Sequence, residues 1–301
     1  MPRAACNGIE IEYETFGDAG AAPLLLIMGL GAQMILWPEE FCEALADAGH
    51  FVIRFDNRDA GASTHLHEAR MPDIAMAMAA AFAGQRVEAP YTLSDMAMDA
   101  VGLLDALAVD SAHVVGASMG GMIAQTLAIE HPARVRTLTS IMSSTGDPTL
   151  PQATAEAMSV LLTAPPLDRD GAIAHAAHVF RVIGSPGYPF DEEWVRAVAT
   201  RSYDRGFDPI GTGRQLAAIL ASGNRTDRLT AVRVPTLVIH GKDDPLVRLE
   251  AGMATAAAIP GARLVVLEGM GHDLPRDLWA RYVQEIAALT GAAPAEVRKL
   301  G

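Results

Sequence analysis

The most specific chemical signal in the sequence is the pattern G-A-S-M-G at residues 116–120, with Ser118 at its centre. A strand pattern precedes it and a helix pattern follows it. In such a strand-to-helix turn, backbone strain projects the serine hydroxyl outwards, and the free N–H groups at the helix start favour developing negative charge. The pattern predicts Ser118 as the nucleophile of an acyl-transfer reaction. A turn of small residues that merely packs a helix on a strand is the alternative.

A serine hydroxyl is a weak nucleophile unless a neighbouring base accepts its proton. His272 ends a glycine-rich stretch directly after the last strand pattern, so we expect it at the carboxyl edge of the sheet, where such folds bind ligands. His240 is the nearest rival because it ends a strand pattern, but two aspartates follow it closely. His175 and His178 have i, i+3 spacing, yet they lack a third ligand at suitable spacing, and no metal site is predicted.

An acid must hold the histidine in one tautomer and stabilise it when it is protonated. We expect this acid between the serine and the histidine in chain order. Asp243 and Asp244 both follow the penultimate strand pattern, and Asp147 follows the strand pattern before it. Asp273 is adjacent to His272, and neighbouring residues rarely face each other. The residues alone leave Asp243 and Asp244 open.

Acyl transfer also needs N–H donors for the negatively charged oxygen of the intermediate. One donor is expected at Met119, the residue after the nucleophile, and the other in the loop after the third strand. That loop reads M-G-L-G at residues 28–31, which points to the Leu30 N–H. The loop lacks the third glycine of a dinucleotide-binding motif, and the sequence has no G-x-x-x-x-G-K-[ST] motif. No cofactor is therefore predicted.

Short apolar runs alternate with helical patterns along the chain, which is typical of a doubly wound, mostly parallel α/β sheet. Strand patterns lie at residues 9–13, 23–28, 50–56, 112–116, 135–142, 234–240 and 262–268, and helical patterns at 38–48, 94–107, 119–130 and 274–289. Residues 65–90 read as a loop with a short helix at the carboxyl edge of the sheet. Residues 146–228 hold helical patterns only and are too long for a simple connection. The sequence predicts a core of residues 1–145 and 229–301 with an inserted helical cap of residues 146–228.

Composition narrows the class of protein. The chain has 301 residues, half of them hydrophobic, and a formal net charge of -13, which disfavours nucleic-acid binding because phosphate backbones are repelled. The two cysteines, Cys6 and Cys42, are expected to be buried free thiols in a reducing compartment.

No run is long and apolar enough to predict a signal peptide or a membrane span, so a cytoplasmic location without membrane attachment is expected. The oligomeric state is left open.

Four segments taken together resemble the capped α/β-hydrolase esterases, in particular those of the aclacinomycin methylesterase type. The segments are residues 56–63, 116–121, 235–245 and 269–272, and the similarity extends from Ile9 to about Leu289. The resemblance implies that the second aspartate of the pair, Asp244, is the acid. It also supports Leu30 and Met119 as oxyanion donors and implies a structural role for residues 56–63. Many relatives carry His-Gly where this chain carries Met-Gly at residues 28–29.

These observations predict a serine hydrolase that cleaves carboxylic esters of small to medium, fairly apolar substrates through an acyl-enzyme. The predicted partner is a small-molecule ester. Lactonase, carbon–carbon bond hydrolase and metal-free haloperoxidase or perhydrolase activity remain as alternatives, as does a ligand receptor built on the same fold. The expectation of an apolar substrate rests on large apolar side chains within the predicted cap: Met158, Leu161, Leu162, Phe180, Ile183, Tyr188, Phe190 and Trp194.

Overall fold

The computed structural model describes residues 1–292, and within them eight strands form one sheet. The strands are β1 (Arg3–Cys6), β2 (Ile9–Phe16), β3 (Ala22–Ile27), β4 (His50–Phe55), β5 (Ala112–Ala117), β6 (Val135–Ile141), β7 (Thr236–Gly241) and β8 (Arg263–Leu267). Their order across the sheet is β1-β2-β4-β3-β5-β6-β7-β8. The β1–β2 and β2–β4 pairs are antiparallel and the others are parallel. The prediction of a mostly parallel, doubly wound sheet is confirmed.

Helices connect the strands. They are α1 (Glu39–Asp47), α2 (Ile74–Phe82), α3 (Leu93–Ala106), α4 (Met119–Glu130), α5 (Ala155–Leu162), α6 (Arg169–Ile183), α7 (Glu192–Arg205), α8 (Pro209–Ser222), α9 (Thr226–Leu229), α10 (Leu249–Ala258) and α11 (Trp279–Thr290). The last helix begins later than the pattern from residue 274 suggested. A 3-10 turn, Arg276–Leu278, precedes it directly after Pro275, whose fixed φ and missing N–H favour a start and not an interior. The prediction of a short helix within residues 65–90 is met by α2.

The sheet is buried on both faces, which explains why its central strands read as continuous apolar runs. Along β3, Leu24 and Leu26 belong to one buried cluster, whereas Leu25 and Ile27 belong to the other. This alternation follows from the two-residue period of a strand. Helices α3 and α4 cover the face of Leu25, and α1 and α11 cover the face of Leu24. The two helical layers fix the sheet, and its strand ends can therefore hold side chains in defined places.

Five helices, α5 to α9, lie in the connection between β6 and β7, and no strand of the described residues interrupts it. Three of these helices have an aspartate at the N-cap position. Asp168, Asp191 and Asp208 accept hydrogen bonds from backbone N–H groups in the first turns of α6, α7 and α8. Each such cap stabilises a helix by roughly 0.5–2 kcal/mol. Local sequence thus specifies helices throughout this segment.

Cys6 and Cys42 are buried free thiols, as expected from their number and setting. Burial raises the pKa of the Cys6 thiol to about 11 and that of the Cys42 thiol to about 12. Both therefore stay protonated at neutral pH and are poor nucleophiles. Over residues 1–292, no helix has the length and apolar character needed to cross a membrane.

Candidate active site

Ser118 occupies the turn that joins β5 to α4. Its φ of 55° and ψ of -120° lie in a region that costs a non-glycine residue energy and that clusters at functional sites. The Ser118 N–H donates to the carbonyl of Ile141 at 2.9 Å, which ties the turn to the neighbouring strand β6. The strained turn predicted from the G-A-S-M-G pattern is therefore present.

The glycines of the pattern are required by close backbone approach. A Cβ atom at Gly116 would overlap the carbonyl of Gly120, and a Cβ atom at Gly120 would overlap the carbonyl of Ile27. At Gly121 it would lie 2.6 Å from the Cβ of Ser143. Only residues without a side chain allow the helix to begin this close to the strands. The spacing of glycines around Ser118 thus reflects both the close packing of α4 on the strands and the strained backbone of the turn.

Three side chains from distant parts of the chain form one line of hydrogen bonds. His272 Nε2 lies 3.0 Å from Ser118 Oγ, and His272 Nδ1 lies 2.7 Å from Asp244 Oδ2. Asp244 is fully buried and His272 is 8% exposed. A neutral imidazole that donates from Nδ1 to the carboxylate leaves Nε2 free to accept the serine proton. The structure brings together the serine and histidine that the sequence singled out and one of its two candidate aspartates, Asp244, which the resemblance implied.

The turn after β7 distinguishes the two aspartates. Asp244 Oδ1 accepts the N–H groups of Leu246 at 2.9 Å and Val247 at 2.8 Å, which leaves Oδ2 for His272. Asp243 is exposed and instead accepts the N–H of Gly269 at 2.9 Å. Of the two aspartates, Asp244 is therefore the one whose side chain hydrogen-bonds His272.

The other candidate acids lie elsewhere. Asp147 accepts the N–H and the hydroxyl of Thr149. Asp273 accepts the hydroxyl of Ser185, and burial raises the pKa of the Asp273 carboxyl. Neither side chain hydrogen-bonds His272 in the part of the chain that the structure describes.

His240, the other candidate base, supports the turn that carries Asp244. Its Nε2 lies 2.7 Å from the carbonyl of Val247, so it holds the turn that fixes Asp244. Burial lowers the pKa of His240, so the ring is neutral and donates from Nε2. Within residues 1–292, the His240 ring therefore bonds the turn after β7 and makes no hydrogen bond to Ser118.

His175 and His178 form no metal-like cluster within residues 1–292. The described residues do contain one group with metal-ligand geometry, Asp59, His65 and Asp208. Arg214 pairs with both of its carboxylates, at 2.7 Å from Asp59 and 3.2 Å from Asp208. A guanidinium already supplies the positive charge that a metal ion would bring, so this group reads as an ion-pair cluster.

The loop of residues 28–32 lies beside Ser118. A Cβ atom at Gly29 would be 3.1 Å from Ser118 Cβ, which measures how closely this loop approaches. Across residues 1–292, neither the Leu30 N–H nor the Met119 N–H donates a hydrogen bond to the protein. Two backbone donors flanking a serine hydroxyl are what a developing oxyanion needs.

Ser118, His272, Leu30 and Met119 line a cavity of about 1890 Å³. Typical small-molecule pockets measure roughly 300–1,000 Å³. All eight apolar side chains that the sequence placed in the predicted cap also line it: Met158, Leu161, Leu162, Phe180, Ile183, Tyr188, Phe190 and Trp194. Helix α2 contributes further apolar groups, including Phe82. The cavity is thus large, mostly apolar and open to the serine.

The segment between β6 and β7 makes two sets of contacts with the loops around Ser118 and His272 that no sequence motif predicts. Residues 183–188 pair with the loop that carries the histidine: the His272 N–H donates to the Ile183 carbonyl at 2.7 Å, and the Gly187 N–H donates to the Gly269 carbonyl at 2.9 Å. The second is Gln215, whose Oε1 accepts a backbone N–H of the loop of residues 28–32. Contacts across such sequence distances depend on the tertiary fold.

Comparison with known proteins places the chain. The family profile described as "alpha/beta hydrolase fold" matches residues 22–275. Rhodomycin D methylesterase DauP from Streptomyces sp. (strain C5) is 32% identical over 93% of this chain and 94% of its own length. Rhodomycin D methylesterase DnrP from Streptomyces peucetius is 32% identical over 97% and 99%. The crystal structure of the enol-lactonase from Burkholderia xenovorans LB400 superposes with a TM-score of 0.72 at 24% identity, covering 96% of this chain and 100% of the other. The chain belongs to the α/β hydrolase fold family.

Proposed function

We propose that this chain is a serine esterase in which Ser118 is the nucleophile, His272 the general base and Asp244 the acid that orients it. The observation that carries the proposal is the buried line of hydrogen bonds from Asp244 through His272 to Ser118, which ends at a large cavity. The methylesterase relatives, which are 32% identical over nearly the whole chain, support ester cleavage.

The reaction follows from these positions. Ser118 Oγ attacks the ester carbonyl carbon while His272 Nε2 accepts the hydroxyl proton, and Asp244 stabilises the imidazolium. The N–H groups of Leu30 and Met119 bind the negatively charged oxygen of the tetrahedral intermediate. His272 then protonates the departing alcohol as the carbon–oxygen bond breaks, which leaves an acyl-enzyme. Water, activated by the same histidine, hydrolyses it to the acid and free Ser118.

We assign residues 146–228 as the cap of the enzyme and residues 1–145 and 229–301 as its core, although this range extends beyond the described residues. The lining of the cavity supports the assignment, because helices α5 to α8 contribute residues to the cavity that Ser118 also lines. A cap of this kind excludes water from the site and determines which esters enter. Substrate selection belongs to this segment.

The substrate we propose is the ester of a small alcohol with a bulky, mostly apolar acid. The relatives are named as methylesterases of rhodomycin D, and the cavity of about 1890 Å³ exceeds what a small ester fills. We expect neutral esters with large acyl groups to be hydrolysed faster than charged esters of equal size, because most of the cavity surface is apolar and moving a charge out of water against such a surface is costly. A preference for charged acyl groups, measured as kcat/KM, would contradict this part of the proposal.

The test is intact-mass analysis after treatment with a fluorophosphonate, alongside ester hydrolysis. The wild-type protein is expected to gain one adduct, and Ser118→Ala to gain none and to lose kcat by a factor on the order of 10⁶. Ser140→Ala is a suitable control, since Ser140 is a buried serine on β6 and should leave the adduct in place. Hydrolysis retained by Ser118→Ala would overturn the assignment. An unlabelled, inactive wild type would favour a ligand receptor.

A further inference from the structure

The loop of residues 28–32, hereafter the oxyanion loop, makes few hydrogen bonds within itself. It contains Gly29 and Gly31, and Gly31 has a φ of +65°, a conformation that other residues rarely adopt. Its one internal hydrogen bond runs from the Ala32 N–H to the Gly29 carbonyl at 3.2 Å. A donor that stabilises a transition state must be held in place before the reaction. Contacts from outside the loop must therefore fix it.

Two side chains supply those contacts. Asn57 Nδ2 donates to the Met28 carbonyl at 2.9 Å. The Gly31 N–H donates to Gln215 Oε1 at 2.7 Å, although the two residues are 184 positions apart. The second contact comes from α8, in the segment between β6 and β7. The oxyanion loop is thus held from the core on one side and from that segment on the other.

The amide of Gln215 has one favourable orientation. Its Nε2 donates to the Arg58 carbonyl at 2.7 Å while its Oε1 accepts from Gly31, and the side chain is fully buried. Turning the amide over would face a donor with a donor and an acceptor with an acceptor, and both bonds would be lost. Buried polar groups without partners are costly, so the orientation is well determined.

Helix α8 is itself fixed next to Gln215. The neighbouring Arg214 pairs with Asp59 through two hydrogen bonds of 2.7 and 2.8 Å, and both side chains are buried. Asp208 caps the start of the helix through the Gly211 N–H. The side chain of Thr212 lies against Gly31, where an added Cβ would be 2.8 Å from its hydroxyl. These contacts therefore fix the position of Gln215 relative to the oxyanion loop.

We propose that Gln215 is a positioning residue for ester hydrolysis: it holds the Leu30–Gly31 peptide so that the preceding N–H, that of Leu30, stays available to the oxyanion. The inference rests on the proposed function, since it assigns a task within the same site. It makes the segment between β6 and β7 a part of the catalytic apparatus as well as a cover. Gln215 acts through the loop and touches no reacting atom.

The kinetic consequence is specific. A mispositioned donor weakens binding of the transition state more than binding of the uncharged ester. Gln215→Met, which keeps the side-chain length and removes both hydrogen bonds, should lower kcat by roughly 10- to 100-fold with KM changed less than about twofold. A boronic acid, which forms a negatively charged tetrahedral adduct with the serine, should bind more weakly by a similar factor.

A matched control is Gln125→Met. Gln125 is also a fully buried glutamine with side-chain hydrogen bonds, at 3.2 Å to Ser140 and 3.4 Å from Arg225, and neither bond involves the oxyanion loop. Both variants should lose stability in chemical denaturation. Only Gln215→Met should lose kcat and boronic acid affinity.

Gln215→Glu adds a second readout. A protonated glutamic acid can accept from Gly31 and donate to the Arg58 carbonyl as glutamine does, whereas its ionised form cannot donate. The kcat of this variant relative to wild type should therefore fall as pH rises, with KM unaffected. Restored activity at low pH that declines with ionisation would support positioning through these two bonds.

Three outcomes decide the matter. If Gln215→Met keeps kcat and boronic acid affinity while the wild type is labelled and active, the positioning role is wrong and the proposed function stands. If Gln125→Met loses kcat and inhibitor affinity equally, the effect is general destabilisation and the inference is also wrong. If the wild type is neither labelled by the fluorophosphonate nor active on esters, the proposed function fails, and the inference fails with it.

Discussion

At the scale of single residues, the adjacent aspartates after β7 show how a turn gives two neighbouring residues different surroundings. Asp244 is fully buried and bonded to His272, whereas Asp243 is exposed and bonded to a backbone N–H. The two Leu246 and Val247 N–H groups hold Asp244 Oδ1, so its second oxygen has a single direction to face. Two residues that look equivalent in the sequence therefore differ in burial, partner and chemistry.

This difference gives a paired prediction. Asp244→Asn should lower kcat by about 10⁴-fold, because an amide N–H facing His272 Nδ1 favours the tautomer that carries a proton on Nε2 and cannot accept one from Ser118. Asp243→Asn should keep kcat within about threefold, since the exposed side chain accepts one hydrogen bond within residues 1–292, from the Gly269 N–H, and an amide oxygen can accept it as well. Steady-state kinetics of both variants provides the measurement. Equal losses in the two variants would contradict the assignment of Asp244.

At the scale of elements, helix α8 contains two glycines that are two residues apart and differ in their surroundings. Gly211 is closely packed, whereas Gly213 has open space beside it. A Cβ atom at Gly211 would lie 2.6 Å from the Asp59 carbonyl, whereas at Gly213 the nearest atom within 4 Å is the terminal methyl of Met71 at 3.5 Å. Glycine in a helix interior costs roughly 0.5–1 kcal/mol relative to alanine. The two glycines thus serve different purposes, close approach at one and no evident packing need at the other.

Gly213→Ala should therefore raise the free energy of unfolding by roughly 0.5–1 kcal/mol. Gly211→Ala should lower it by roughly 1–3 kcal/mol, because the methyl group forces α8 away from the loop that carries Asp59. Urea denaturation of both variants at one temperature measures the difference. Destabilisation by Gly213→Ala, or stability unchanged by Gly211→Ala, would show that α8 does not pack as described.

Sequence reasoning predicted the elements whose signals are local. The β3 run and the Ser118 turn follow from residue type and short spacing, and the histidine loop follows from its place after β8. Helix α10 was missed because its alanine-rich sequence, LEAGMATAAA, carries no clear apolar stripe. The contact of Gln215 with Gly31 was beyond reach, since no periodicity links residues 184 positions apart. Long-range polar contacts require the fold to be known first.

At the scale of the whole molecule, buried and half-buried charged side chains join the segment between β6 and β7 to the core. Arg205 at the end of α7 donates to Glu12 at 2.5 Å and to Asp56 at 2.7 Å, and Arg214 on α8 pairs with Asp59. The pairing of residues 183–188 with the histidine loop adds backbone hydrogen bonds. Removing one partner of a buried ion pair costs roughly 3–5 kcal/mol because the other charge is left unpaired. The segment and the core should therefore depend on each other for stability.

We accordingly expect the segment and the core to unfold in one transition. The double variant Trp37→Phe/Trp279→Phe leaves Trp194 on α7 as the one tryptophan of the chain. Its fluorescence should lose intensity at the same urea concentration as the far-ultraviolet circular dichroism of the whole protein. Adding Arg214→Met should move both midpoints down together, because the unpaired Asp59 destabilises a shared unit. An earlier Trp194 transition, or a shift of that signal alone, would mean that the segment unfolds independently of the sheet.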